Sequence, residues 1–196
     1  MKICGLNKTT LLDYPGKVAA TIFLGGCNFR CPFCHNGDLV LHSKELPYLE
    51  EEEVLSFLEK RKNVLEGVCI TGGEPTLYGE LTELIEKIKR LGYLVKLDTN
   101  GTNPSMVKSL ITKGLIDYVA MDIKAPISKY EKVCGVSCDM QKIQETVEVL
   151  KKEMVNYEFR TTVVKELHTK EDILEIGKWI SGAKSYYLQS YQETEK

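Results

Sequence analysis

The chain has 196 residues, 43% of them hydrophobic and 28% charged, with a formal net charge of −2. That length suits one domain with a sizeable core, and the near-neutral charge supplies no basic field for nucleic acid or lipid. No apolar run approaches a bilayer span, and Met1-Lys2-Ile3-Cys4 lacks the apolar core of a signal peptide, so a single cytoplasmic domain over residues 1–196 is expected.

Residues 1–16 end in the turn signal Asp13-Tyr14-Pro15-Gly16 and carry too little apolar periodicity for a domain, so they read as an N-terminal extension. Residues 17–24, apolar and β-branched, read as a buried strand that delivers a cysteine loop at its C-terminal end. Pro47 and the acidic run from Glu50 to Glu53 favour a helix start, and Val54, Leu55 and Leu58 supply its stripe. Residues 67–71 form a second strand, followed by Gly72-Gly73-Glu74-Pro75 and a helix bearing Leu81, Leu84, Ile85, Ile88 and Leu91 that ends at Gly92. A third strand over 94–98 turns at Asn100-Gly101, and Pro104 opens a helix that stops before Gly114. The remaining elements are strands over 118–123, 157–164 and 186–188, a helix lined by Ile143, Val147, Leu150 and Met154, and a helix over 169–180.

Strands alternating with helices imply parallel βα units. Six strands and five intervening helices fall short of the eight units and about 250 residues of a complete barrel. The expected fold is therefore α/β, a partial (β/α)6 TIM-like barrel over residues 17–190. In such a barrel the strand ends converge on one mouth. The cysteine loop, Gly72-Gly73-Glu74, Asp98-Thr99-Asn100-Gly101 and Asp122-Ile123-Lys124 each follow or close a strand.

The loop Cys27-Asn28-Phe29-Arg30-Cys31-Pro32-Phe33-Cys34-His35 has C-x3-C-x2-C spacing. Soft thiolates so spaced suit iron–sulfur or zinc. A [4Fe–4S] cluster takes four Cys ligands and no fourth lies nearby, which leaves one iron open. A Cys3His zinc site with His35 is the alternative, but structural zinc usually draws its ligands as two separated pairs. Cys4, Cys69, Cys134 and Cys138 read as small buried hydrophobes, and His42 and His168 as surface residues.

The cysteine spacing, with Phe33 before the last Cys, resembles the radical S-adenosylmethionine (SAM) superfamily. Leu12-Asp13-Tyr14-Pro15-Gly16 and Cys34-His35-Asn36 look like the activating enzymes of glycyl-radical enzymes, above all those of anaerobic ribonucleoside-triphosphate reductases. The similarity runs from about residue 5 to residue 190 and implies the same barrel. It implies that Cys27, Cys31 and Cys34 hold the cluster, that SAM binds the open iron, and that SAM is cleaved to a 5′-deoxyadenosyl radical that takes hydrogen from a partner's glycine. It further implies a flavodoxin- or ferredoxin-type electron donor. Phe33 resembles the residue that meets the adenine, and Gly72, Gly73 and Glu74 the segment that binds the SAM amino group, where glycines admit close backbone approach. Asp98, Thr99 and Asp122 are oxygen donors for the ribose or a cation, and Lys124 can neutralise the SAM carboxylate. Asp13 matches a position near the docked substrate glycine. A SAM-contacting His on the last strand has no clear counterpart near Gln189 to Gln192. Arg160, charged where a strand should be apolar, is expected to face the barrel lumen and bind SAM or the incoming substrate segment. The alternatives are an activase of pyruvate formate-lyase type, a radical SAM enzyme acting on a small molecule such as 7-carboxy-7-deazaguanine synthase, and a non-catalytic iron–sulfur module.

Overall fold

The structure, a computed structural model, describes residues 1–192; residues 193–196, the end of the single domain expected over 1–196, lie outside the described residues. Seven strands form one sheet in chain order: β1 (Ile3–Thr10), β2 (Ala19–Leu24), β3 (Gly67–Gly72), β4 (Leu94–Thr99), β5 (Tyr118–Asp122), β6 (Asn156–Val163) and β7 (Tyr186–Ser190). The six strands from β2 to β7 pair in parallel and answer to the six expected. Among the described residues β7 and β1 do not pair, so the barrel stays open.

Residues 1–16 correct the expectation of an extension. They supply β1, which pairs antiparallel to β2 from Ile3 opposite Leu24 to Thr10 opposite Ala19. Only Ile3 and Thr10 of its residues are buried, so backbone hydrogen bonding holds it, and side-chain periodicity carries no trace of it.

Helices fill the crossovers: α1 (Gly37–Leu41), α2 (Glu51–Glu59), α3 (Leu81–Arg90), α4 (Pro104–Thr112), α5 (Tyr130–Cys134), α6 (Met140–Lys151) and α7 (Lys170–Trp179). Local chemistry sets their ends. Glu50 and Glu53 form a capping box on α2, and Asn103 caps α4 with Pro104 in its first turn. Gly92, at φ +93°, follows α3 in the left-handed conformation. Leu81, Leu84, Ile85 and Ile88 of α3 are completely buried, the 3.6-residue stripe that lays a helix on a sheet. α6 stops at Lys151, so Met154, expected to line it, is exposed instead.

The turn from Asp13 to Gly16 packs under the open barrel, at the N-terminal end of β2. Tyr14 is buried there with its ring 6.0 Å from that of Tyr118, and a side chain on Gly67 would strike it. Asp13 accepts a 2.5 Å hydrogen bond from the Thr21 hydroxyl and lines the cavity above. No helix among the described residues is long and apolar enough to cross a membrane.

Candidate cofactor site at the barrel mouth

β2 ends at Leu24, and Gly25 and Gly26 turn the chain into the cysteine loop. The turn is held from several sides. The Gly25 amide donates to the Lys2 carbonyl at 3.0 Å and the Gly26 amide to the Leu39 carbonyl at 2.7 Å. The Tyr78 hydroxyl donates to the Gly25 carbonyl at 2.6 Å, and further along the Arg30 amide donates to the Cys134 carbonyl at 2.8 Å.

All the residues expected to hold cofactors line one cavity: Cys27, Cys31, Cys34, Phe33, Gly72, Gly73, Glu74, Asp98, Thr99, Asp122, Lys124 and Arg160. Burial pushes the Cys31 thiol up to about 11, with Lys124 pulling the other way and the thiols of Cys134, Cys34 and Cys27 adding to the rise. Burial also raises Cys27. The thiols of Cys27, Cys31 and Cys34 line the same cavity, and metal binding there would displace their protons. Among the described residues no three His, Cys, Asp or Glu side chains gather closely enough to hold a single metal ion. A four-iron cluster takes each cysteine on a different iron, so thiols spread around a cavity rim fit it.

The loop after β3 is packed against the cysteine loop. Gly72, at φ +115°, lies so close to Leu24 that a Cβ would overlap its backbone, and a Cβ on Gly73 would overlap the Gly26 carbonyl. The Gly73 and Glu74 amides donate to Leu24 at 2.8 Å and Gly26 at 2.9 Å. The close approach that these glycines permit is thus to the end of β2 and the start of the cluster loop, and the Gly73 and Glu74 amides are committed there. Asn36 adds a 3.0 Å hydrogen bond to the Gly72 carbonyl.

Glu74 is 1% exposed. One carboxylate oxygen accepts from the Thr76 amide at 3.0 Å, the Thr76 hydroxyl at 2.5 Å and the Thr99 hydroxyl at 2.8 Å. The other accepts the Asn100 amide at 2.6 Å. Burial raises its pKa, and these donors oppose the rise. Asn100 continues the link to the cysteine loop, donating to the Asn28 side chain at 2.8 Å.

The opposite wall is charged. Arg160 donates from Nη2 to Asp98 at 3.2 Å and from Nε to Asp122 at 3.0 Å, and Lys124 pairs with the other Asp122 oxygen at 2.9 Å. Burial would raise the Asp122 carboxyl, but Arg160 and Lys124 outweigh it and hold it well below the usual range. Burial would lower Lys124, and Asp122 carries it the other way. Arg160 faces the lumen as expected. Below it, Lys96 is almost fully buried and ion-paired with Asp98.

His168 corrects the expectation of a surface residue: it is 7% exposed. Its Nδ1 accepts the Val164 amide at 3.1 Å and its Nε2 faces the Lys124 carbonyl at 2.8 Å, a pattern met by the Nε2–H tautomer. Phe33 packs edge-on against both His168 and Tyr191. Tyr191, just past β7, stacks on His35 with centroids 5.2 Å apart, and Gln189 of β7 lines the cavity. The sequence offers no reading of Lys96 or Tyr78, reads Asn100 only as part of a strand-end turn, and places His168 on the surface. Of the two without a reading, Lys96 carried a local signal, a charge early in a strand that opens Leu94-Val95.

A profile of the Radical SAM superfamily matches residues 21–180. The "Putative glycyl-radical enzyme activating enzyme" of Methanocaldococcus jannaschii is 36% identical over 97% of this chain and 80% of its own length. The 7-carboxy-7-deazaguanine synthase of Neisseria meningitidis is 33% identical over 69% of this chain and 58% of its own. Streptococcus suis SuiB bound to S-adenosylmethionine shares the fold, with a TM-score of 0.65 and 18% identity over 90% of this chain and 41% of that one. When bound, the cluster supplies the electron that cleaves SAM to an organic radical. The chain belongs to the radical SAM superfamily, an enzyme whose cofactors are a [4Fe–4S] cluster and SAM.

Proposed function

We propose that this enzyme activates a glycyl-radical enzyme, abstracting hydrogen from a backbone glycine of that partner, and that the partner is an anaerobic ribonucleoside-triphosphate reductase. The observation that carries the reading is the 36% identity to a relative named as such an activating enzyme, spread over nearly the whole chain. The open sheet supports it, since an unclosed barrel leaves a lateral way in for a loop of another protein. Asp13, under the cavity and bonded to Thr21, faces what enters from the mouth. The choice of reductase rests on Leu12-Asp13-Tyr14-Pro15-Gly16 and Cys34-His35-Asn36. Reduction by a flavodoxin- or ferredoxin-type donor in the cytoplasm completes the proposal.

In this reading Cys27, Cys31 and Cys34 hold the cluster. Phe33 borders the adenine, the Gly72-Gly73-Glu74 segment borders the methionine amine, and Asp98 and Thr99 border the ribose. Lys124 and Arg160, with Asp122 between them, meet the carboxylate. Glu74, Asp98, Asp122 and Lys124 are held by protein partners before any ligand arrives, which keeps their charged groups oriented. A second reading, a radical SAM enzyme acting on a small molecule, is favoured by the 33% identity to the deazaguanine synthase.

The test is anaerobic incubation of the reduced, reconstituted protein with SAM and a reductase, followed by electron paramagnetic resonance. A glycine-centred radical on the reductase with matching 5′-deoxyadenosine release supports the activase. SAM cleavage stimulated by a small molecule and by no protein partner moves the assignment to the second reading.

A further inference from the structure

We propose that Lys96 is a positioning residue that fixes the Asp98 carboxylate for SAM, an inference that rests on Asp98 being a cofactor contact. Lys96 lies on β4 two residues before Asp98, on the same face of the strand. It is 1% exposed and stands behind Asp98, outside the set of residues that line the cavity.

Burying an ammonium costs several kcal/mol unless it is well paired. On the opposite face of the strand, the neighbouring Val95 and Leu97 are completely buried apolar side chains. Among the described residues, the one carboxylate that pairs with Lys96 is Asp98. Its other neighbour, the Cys69 sulfur at 3.8 Å, is a thiol that burial keeps neutral. Lys96 therefore holds one oxygen of Asp98 while Arg160 holds the other at 3.2 Å. A carboxylate pinned at both oxygens cannot rotate, and its remaining lone pairs point in set directions.

Charge balance argues the same way. Arg160 is shared among three carboxylates: Asp98 at 3.2 Å, Asp122 at 3.0 Å and Glu158 at 4.0 Å. Arg160 and Lys124 alone leave that set one charge short, and Lys96 closes it. With Lys96 in place, Arg160 is free to divide itself between Asp98 and Asp122 across three strands. Without it, Arg160 would be drawn towards an under-compensated Asp98 and away from Asp122, so the disturbance would reach the wall that carries Lys124.

The experiment compares reconstituted holoprotein carrying Lys96→Met, Asp98→Asn or both, reading SAM affinity by equilibrium dialysis, the reduced-cluster resonance spectrum with and without SAM, and iron content. Lys96→Met should weaken SAM binding by about 10- to 100-fold, the range found for groups one layer behind a ligand, with iron content unchanged. Because Lys96 acts through Asp98, the double variant should bind SAM no worse than Asp98→Asn alone, whereas an independent packing defect would add to it. Normal SAM binding by Lys96→Met, or losses that add in the double variant, overturns the inference. Normal binding by Asp98→Asn overturns the reading of Asp98 itself, so the two failures are distinguishable. If Lys96→Met yields no folded protein, Lys96→Gln takes its place, keeping a donor to Asp98 without the charge; the double variant removes both charges and leaves neither buried alone.

Discussion

Glu74 accepts the Asn100 backbone amide at 2.6 Å, and this bond ties the turn after β3 to the turn after β4 at the base of the cysteine loop. The hydrogen-bonding partners of the Glu74 carboxylate are donors of the protein itself, from Thr76 just after it and from Thr99 and Asn100 at the end of β4. Replacing it by Gln turns one acceptor into a donor facing donors. The cost of a mispaired buried group is about 1–3 kcal/mol, and it should be read in thermal or denaturant unfolding of Glu74→Gln. A variant as stable as the parent would show that the carboxylate is dispensable to the scaffold.

Gly73 makes a sharper test of how the cysteine loop is seated. A Cβ there would overlap the Gly26 carbonyl, whereas a Cβ on Gly79 meets nothing within 4 Å. Gly73→Ala should force the loop after β3 away from Cys27 and reduce the iron retained after reconstitution, with destabilisation of about 1–3 kcal/mol from overpacking. Gly79→Ala should leave both unchanged. Equal iron content in the two variants would separate the cluster from this contact.

The parallel strands and the residues at their ends were legible because local rules govern them. Apolar runs marked strands, and Gly92, Pro104 and Gly114 marked helix ends, whereas the short helices α1 and α5 were not legible. Arg160 was legible as a lumen residue because a charge interrupts the strand. Lys96 sends the same signal from β4, and nothing physical separates the two cases except that Asp98 drew attention to itself first. β1 was illegible because its pairing is carried by the backbone. His168 was illegible because its partners are the backbones of Val164 and Lys124, the latter far away in the chain. The Glu74 clasp joins residues 25 and 26 positions apart, beyond any window that periodicity reads. Met154 misled because its spacing continues the stripe of α6 past the point where the helix ends.

Asp172 gives the scaffold an acid-sensitive point remote from the cofactors. Its carboxylate accepts from Lys129 at 2.7 Å and from the Thr169 amide at 2.8 Å, closing a capping box on α7. Lys129 first, with help from Thr169, holds its pKa below the ordinary 3.8. A carboxyl lowered in the folded state adds stability that is fully present above its unfolded pKa and is lost as pH falls through the folded value. Asp172→Asn should therefore cost about 1 kcal/mol at pH 7, as loss of a cap does, and the gap between variant and parent should close below about pH 4. A gap that stays constant into acid would mean that the charge of Asp172 contributes nothing.

Lys124 separates cofactor binding from stability. Its ammonium pairs with Asp122 at 2.9 Å, and it reaches the cavity beside the cysteines, where its charge opposes the rise of both Cys27 and Cys31. Removing one partner of a buried pair ordinarily costs several kcal/mol because a bare charge remains. Here Asp122 keeps Arg160 at 3.0 Å, so Lys124→Ala should cost about 2 kcal/mol or less, the value of one hydrogen bond to a charged group. If Lys124 meets the SAM carboxylate, the same variant should lose SAM affinity by about tenfold or more, the equivalent of 1.4 kcal/mol. Titrating holoprotein with SAM and melting it in parallel reads both quantities. Unchanged affinity beside a small loss of stability would leave Lys124 as a partner of Asp122 alone and take it out of the cofactor site.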